Sequence, residues 1–128
     1  MKKRTMLSWS SGKDSAWALH VLRQDPTIEL AGLFTVINEK YDRASMHTTR
    51  LALLRLQAEA AGLALTTIAL PDQCSLAQCD AVMGRFVAEN AAQGVAGMAF
   101  GDLFLEDIRT YREKQLQGSG IQPLFPLW

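Results

Sequence analysis

Short apolar runs alternate with amphipathic segments along the whole chain. Four of these runs are bounded by turn-forming or polar residues, which is typical of buried strands. A further apolar run at residues 123–128 could begin a fifth strand, although its prolines limit how much of it can pair. Residues 38–47 are polar and are predicted to be irregular. The four predicted strands occupy residues 5–9, 30–37, 65–70 and 95–100.

Four amphipathic segments between the runs are predicted to be helices. The first covers residues 14–23 after a loop at residues 10–13, and the fourth covers about residues 106–117. The second, residues 48–61, is followed by Gly62, where a left-handed C-terminal residue belongs. The third begins after Ser75, with Gln78 completing a capping box, and ends near residue 93. Core positions of the first two helices are expected to be Ala16, Leu19, Leu22, Leu51, Leu54, Ala58 and Ala61.

Strands that alternate with helices predict right-handed crossovers and a mainly parallel sheet with helices on both faces. We therefore expect one doubly wound, Rossmann-like α/β domain over residues 1–128. Ligands in such sheets bind beyond the carboxyl ends of the strands, near the point where the strand order reverses. Functional residues are therefore expected in the loops at residues 10–15, 38–49, 71–75 and 101–106.

The composition of the chain argues against several classes of protein. Thirteen basic and thirteen acidic residues give no net charge, so a broad nucleic-acid or membrane surface is not expected. The apolar stretch after the basic N-terminal residues is too short for a signal peptide, and no run is long enough for a membrane span. We therefore expect a cytoplasmic protein. Cys74 and Cys79 are too few for a disulfide framework, and the helical stripe Leu76, Cys79, Met83 and Phe86 favours a core role for Cys79.

The loop after the first predicted strand carries the main candidate chemistry. The N-terminus of the helix that follows offers unpaired N–H groups and partial positive charge, which suit a phosphate. Gly12 allows close approach of the backbone, and Lys13 adds a cation. Asp14 would repel phosphate unless it binds Mg²⁺ or caps the helix, and a plain serine-rich turn is the alternative. The cofactor-binding residues expected here are Ser10, Ser11, Gly12, Lys13, Asp14 and Ser15.

The Walker pattern and the GxGxxG fingerprint are both absent, but another phosphate loop is matched. Ser10-Ser11-Gly12-Lys13-Asp14-Ser15 resembles the SGGxDS loop of the PP-loop ATP pyrophosphatases, with serine in place of the first glycine. The chain is more similar still to the diphthine–ammonia ligase-like branch of that family. Further segments of that branch are matched in order by Met46-His47, Gly101-Asp102, Glu106 with Arg109, and Pro126-Leu127-Trp128.

This resemblance implies a reaction and a set of residues for it. A substrate carboxylate would attack the α-phosphate of ATP, pyrophosphate would leave, and ammonia would displace AMP to give an amide. ATP and Mg²⁺ are the implied cofactors, with Asp14 as metal ligand. Adenine is expected on the backbone of Phe34, Thr35 and Val36. The catalytic residues would be Lys13, Asp14, His47 and Asp102, and the substrate contacts Met46, His47, Arg50, Glu106 and Arg109.

Several of these residues also have simpler interpretations. His47 could belong to a solvated loop, and Asp102 could cap the last helix. Glu106 and Arg109 could form a surface pair that contributes roughly 0.2–0.5 kcal/mol. Trp9 and Trp17, on either side of the loop, are expected in the core rather than stacked on adenine.

Two other functions stay open. The chain could be a non-catalytic ATP- or AMP-binding module, because family members continue beyond the Pro-Leu-Trp segment and we expect a family C-terminal region to be lacking. The apolar tail would then lead into that region or drive homo-oligomer formation. A PP-loop enzyme that modifies tRNA is less favoured, because the sequence shows no basic surface.

Overall fold

The computed structural model describes residues 2–10, 12–38, 43–44, 51–71, 75–102 and 106–128. Within these residues the chain alternates strands and helices in the predicted way. The strands are β1 (Lys3–Ser8), β2 (Ile28–Asn38), β3 (Arg43–Ala44), β4 (Leu65–Leu70), β5 (Gly97–Ala99) and β6 (Gln122–Leu124). The helices are α1 (Lys13–Arg23), α2 (Leu51–Ala61), α3 (Leu76–Ala92) and α4 (Glu106–Leu116).

Five of these strands are parallel and lie in the spatial order β4, β2, β1, β5, β6. The chain first builds outward from β1 to β2 and β4, and then returns to add β5 and β6 on the other side. The strand order therefore reverses between β1 and β5, which is where a ligand is expected in a sheet of this kind. The predicted doubly wound, Rossmann-like α/β fold is confirmed.

The sheet separates two apolar cores, because neighbouring residues of a strand face opposite sides. On one side Leu7, Leu33 and Ala99 pack against residues of α1 and α2. On the other side the preceding or following residue of each strand packs against α3 and α4. Those residues are Met6, Phe34 and Met98, in contact with a cluster that includes Phe86, Val87 and Leu116.

The apolar face of α1 is rotated relative to the prediction. Its buried residues are Ser15, Ala18 and Leu22, whereas Ala16 is exposed. Trp17 is 59% exposed, so its predicted core position is wrong. Helical geometry places Trp17 on the same side as residues 13 and 14, one turn away, and that side faces outward. Trp9 is buried as expected, with its indole N–H donating to Gln57 Oε1 at 2.9 Å.

The start of α3 and the polar segment after β2 also differ from the prediction. Burial along the predicted α3 stripe rises from exposed Leu76 through half-buried Cys79 to buried Phe86, so the helix enters the core only after its first turn.

Residues 38–47 are not wholly irregular, because β2 extends to Asn38 and β3 pairs with its end in antiparallel fashion. Cys74 lies outside the described residues.

The C-terminal apolar run does form a strand, although it begins one residue earlier than predicted. β6 pairs in parallel with β5, and the Phe100 N–H donates to Leu124 O at 2.9 Å just beyond β5.

Gly62 has a φ of +74°, which confirms its expected role at the end of α2. None of the described helices is long and apolar enough to cross a membrane.

Candidate functional site

The loop between β1 and α1 lies at the reversal of strand order. Beyond β1, the Trp9 N–H still donates to Phe34 O at 2.8 Å, which continues the pairing with β2 by one residue. The chain then turns into α1, whose first residue is Lys13. This turn therefore presents the beginning of α1 at the carboxyl edge of the sheet, where the candidate loop was predicted.

Two serines hold the loop against the first turn of the helix. Ser15 is buried, and its hydroxyl oxygen accepts a hydrogen bond from the Ser10 N–H at 3.2 Å. The Ser10 and Ser15 hydroxyl groups also share a hydrogen bond of 2.8 Å, and the Gly12 N–H donates to Ser10 Oγ at 3.4 Å. These hydroxyl groups therefore position the loop backbone. Ser11, the remaining serine of the motif, lies outside the described residues.

The beginning of α1 has no side-chain cap. Gly12 is the N-cap residue, with extended backbone angles and no side-chain hydrogen bond to the helix. Asp14 lies in the first turn instead, so its alternative role as the N-cap is wrong. The first N–H groups of a helix have no partners within the helix and carry its partial positive charge. Together with Lys13 they form a donor surface suited to an anion.

Lys13 and Asp14 lie side by side and open to solvent. The Lys13 Nζ and Asp14 Oδ1 atoms are 3.6 Å apart, with 94% and 52% of the two side chains exposed. Within the described parts of the chain, no group of three or more His, Cys, Asp or Glu side chains could hold a metal ion. A single carboxylate fits Mg²⁺ that arrives with phosphates, because Mg²⁺ commonly combines one or two carboxylates with substrate oxygens.

Gly101 fixes the distance between the end of β5 and the beginning of α1. A Cβ atom at this position would lie 3.1 Å from the carbonyl carbon and oxygen of Asp14 and 3.2 Å from the Ser15 nitrogen. Only glycine allows this approach without displacing backbone. The Gly101-Asp102 segment and the loop therefore form one packed unit across the strand-order reversal.

Asp102, the next residue, contacts an arginine that the sequence did not single out. Asp102 Oδ2 accepts a hydrogen bond from the Arg112 Nε at 3.4 Å, and both side chains are partly buried. The Arg112 guanidinium also lies over the Phe100 ring, 4.7 Å from its centre. Arg112 lies three residues after Arg109 on α4, so the two share a face of the helix. This spacing is the signal by which the sequence could have pointed to Arg112.

Arg109 is engaged with the C-terminal segment. Its guanidinium carbon lies 4.6 Å from the centre of the Phe125 ring and 4.8 Å from that of Trp128. The Arg109 Nε forms an ion pair with Glu113 Oε1 at 3.7 Å, so the surface pair expected with Glu106 is replaced by one that lies a turn later. Cation–π contacts of this kind stabilise a ring's position by about 0.5–1 kcal/mol at exposed sites.

The residues expected near adenine lie on β2 with their side chains turned into the protein. Phe34 and Thr35 are buried and Val36 is partly buried. The Phe34 ring packs against Phe86 and Phe100, at 5.1 and 6.1 Å between ring centres. Any ligand contact from residues 34–36 is therefore expected to come from their backbone. Met46, His47 and Arg50 lie outside the described residues.

A cleft opens beside the beginning of α1 that the sequence did not predict. It has a volume of about 490 Å³. One wall is formed by α1 and the other by the segment after β6. The lining residues are Lys13, Asp14, Trp17, Pro126 and Leu127.

Comparison with known proteins identifies the family. A search of curated proteins gave no match. A family model described as the diphthamide synthase N-terminal domain matches residues 1–123, which is nearly the whole chain. The resemblance inferred from the loop motif is thereby confirmed. The chain belongs to the diphthamide synthase N-terminal domain family, in the diphthine–ammonia ligase-like part of the PP-loop ATP pyrophosphatases.

Proposed function

We propose that this chain is an AMP-forming, ATP-dependent amide ligase that activates a carboxylate by adenylation. The observation that carries the proposal is the uncapped beginning of α1, with Lys13 and Asp14 exposed beside it, at the reversal of strand order. The family adds that ATP is the nucleotide used. Ammonia, acting on the acyl-adenylate, would complete the amide.

The first turn of α1 would bind the β- and γ-phosphates. No side chain caps the backbone N–H groups of this turn, and the Lys13 ammonium is exposed, so both would be available when charge builds on the departing pyrophosphate. Asp14 would ligate the metal ion. When bound, Mg²⁺ supplies positive charge against the phosphate oxygens. Ser10 and Ser15 would act by holding the loop in this conformation.

The neighbouring strands supply the other parts of the proposed site. The backbone of residues 34–36 would hold adenine, since their side chains pack inward. Asp102 would bind Mg²⁺ or a hydroxyl group at the end of β5, with Arg112 fixing its orientation. Met46, His47, Arg50 and Glu106 stay proposed substrate contacts, and His47 is proposed to act on turnover more than on ATP affinity.

The products of ATP cleavage test this function. The purified chain is incubated with ATP and Mg²⁺, and the nucleotides are separated by ion-exchange chromatography. AMP and pyrophosphate are expected, and hydroxylamine in place of ammonia should trap the acyl group as a hydroxamate when a suitable acid is present. A sample with excess chelator is the control. ADP with orthophosphate would refute the proposal.

A second candidate function is nucleotide binding without turnover by this chain. It is favoured by the match itself, because the family model describes an N-terminal domain rather than a whole enzyme. Calorimetric titration separates the two functions. Binding of ATP without AMP formation, under conditions in which the acid and ammonia are supplied, would support the second candidate.

A further inference from the structure

Helix α2 is apolar on its outer side as well as on its inner side. Eight of its eleven residues are leucine or alanine, but only Leu51, Leu54 and Ala58 are buried. Leu53 and Leu56 stay 47% and 63% exposed. A helix that is apolar all round is typically covered on every side, whereas α2 is covered on one. Its outer side is therefore a surface that a partner is suited to bury.

The exposed apolar residues of α2 form one continuous stripe. Spacings of three and four residues make Leu53, Leu56 and Ala60 neighbours on the helix surface, and Ala52 lies one turn before Leu56. All four are exposed, and together they are called the outer stripe here. The two leucines supply apolar area, and the alanines at either end allow another helix to approach closely.

Arg55 and Glu59 run along one flank of the outer stripe. Both are exposed, and neither belongs to any of the ion pairs found in the described parts of the chain. An arginine placed four residues before a glutamate is the less favourable order for a pair within one helix, which agrees with this observation. The flank therefore offers one positive and one negative charge, one turn apart, to a partner.

A second copy of α2 in antiparallel orientation matches both the stripe and the charges. A twofold axis beside Leu56 places this leucine against its counterpart and Leu53 against the Ala60 side of the other copy. The same axis keeps the charged flanks of the two helices together, so that each Arg55 faces the Glu59 of the other copy. A parallel arrangement would instead bring equal charges together, which is unfavourable.

The C-terminal apolar run, which the sequence suggests as a route to a homo-oligomer, is less suited to that role. The Phe125 ring already stacks on Phe100, with 5.8 Å between the ring centres. The Arg109 guanidinium lies over the rings of both Phe125 and Trp128. These rings therefore have partners within the chain, and α2 offers the more open apolar surface.

We propose that the outer stripe of α2 is a homodimer interface, in which α2 packs against α2 of a second copy in antiparallel orientation. Two leucines and two alanines from each copy bury less than the roughly 800 Å² per partner of a standard stable interface. The dimer is therefore weak, with a dissociation constant on the order of 0.1 mM. The proposal depends on α2 alone and not on ATP, so it stands or falls separately from the proposed ligase function.

Sedimentation equilibrium, over about 10 µM to about 1 mM protein, measures this association. Leu56→Lys should raise the dissociation constant at least about tenfold, because it places two ammonium groups together at the twofold axis. Leu76→Lys is the matched control, since Leu76 is 71% exposed on α3, and it should leave the association unchanged. Circular dichroism checks that both variants are folded. A chain that stays monomeric throughout, as when a different partner covers the stripe, would overturn the proposal, and so would a dimer unaffected by Leu56→Lys.

A charge exchange tests the antiparallel orientation. Arg55→Glu and Glu59→Arg each bring like charges together across the interface, so each should weaken the dimer about tenfold. The double variant Arg55→Glu/Glu59→Arg restores opposite charges and should associate within about twofold of the parent chain. Added salt should weaken the parent dimer, because these pairs lie at its rim. A double variant that associates no better than the single variants would show that the two helices do not pair in this way, which would overturn the proposal.

Discussion

The beginnings of α1 and α3 share a backbone conformation but differ in chemistry. Both N-cap residues are extended, with φ and ψ of −81° and 168° at Gly12 and −69° and 161° at Ser75. At α3, Ser75 Oγ accepts from the Gln78 N–H at 3.2 Å and Gln78 Oε1 accepts from the Ser75 N–H at 2.9 Å. At α1 no side chain caps the helix. The first N–H groups of α3 are therefore capped by side chains, whereas those of α1 are not.

This difference indicates how the residue at the N-cap can either close a helix end, which adds stability, or leave it open to a ligand. A capping side chain occupies N–H groups and stabilises a protein by about 1 kcal/mol. Without it, the same groups are available for a ligand, and the helix gives up that stabilisation. The open end also has a lysine and an aspartate in its first turn, whereas α3 has no acidic residue there. We therefore expect substitutions at α1 to act on ATP, and those at α3 to act on stability.

The largest expected effect comes from Asp14→Asn. This change keeps the shape of the side chain but removes the charge that would ligate Mg²⁺. Production of AMP, measured by chromatography, should fall by roughly 10²–10³-fold. The thermal midpoint should change little, because Asp14 is half exposed. Turnover close to that of the parent chain would show that Asp14 does not carry the metal.

Gly12→Asp should convert the open helix end into a closed one. There is room for the side chain, because a Cβ atom would meet only Ser10 Oγ at 3.5 Å, and the φ of −81° suits any residue. The carboxylate would occupy the N–H groups and repel phosphate, so ATP affinity should fall about tenfold to a hundredfold. The free energy of unfolding should be unchanged or rise by a few tenths of a kcal/mol. Calorimetry and urea unfolding measure the two quantities, and retained ATP affinity would contradict the comparison.

Gly101→Ala tests how the open end is held against β5. Its methyl group would press on the backbone of Asp14 and Ser15, which we expect to cost about 1–3 kcal/mol in unfolding free energy and to weaken ATP binding. Gly84→Ala is the matched control, since a Cβ there meets nothing within 4 Å and α3 should gain about 0.5–1 kcal/mol. Similar effects from both substitutions would mean that the close approach of Gly101 has no consequence.

Ser75→Ala is expected to have the smallest effect, confined to stability. Removing the cap of α3 should cost about 1 kcal/mol in urea unfolding, while Ser75→Gly should cost roughly half of that. ATP affinity should be the same in both variants and in the parent chain. A loss of ATP affinity in Ser75→Ala would show that the two helix ends are not independent.

Local features of the fold followed from the sequence because they depend on neighbouring residues. The capping box needs only Ser75 and Gln78, three positions apart. The left-handed turn after α2 needs only Gly62. The alternation of apolar runs with amphipathic segments was enough to predict the doubly wound sheet, since right-handed crossovers leave few topologies. The same order placed the loop at residues 10–15 on the carboxyl edge of the sheet.

What the sequence could not specify depends on contacts between distant segments. Helical periodicity predicts that α1 has a buried face, but its rotation depends on how Ala18 and Leu22 pack against the sheet, and this rotation exposed Trp17. The approach of Gly101 to Asp14 joins residues that are far apart in the chain.

The stacking of Arg109 on Phe125 and Trp128 could not be anticipated either, because an arginine on a helix has many possible partners. The sequence by itself therefore determined the family, the topology and the position of the candidate phosphate-binding loop, all of which rest on local pattern. Only the tertiary structure decided which side chains surround that loop, because their positions are set by packing across the sheet.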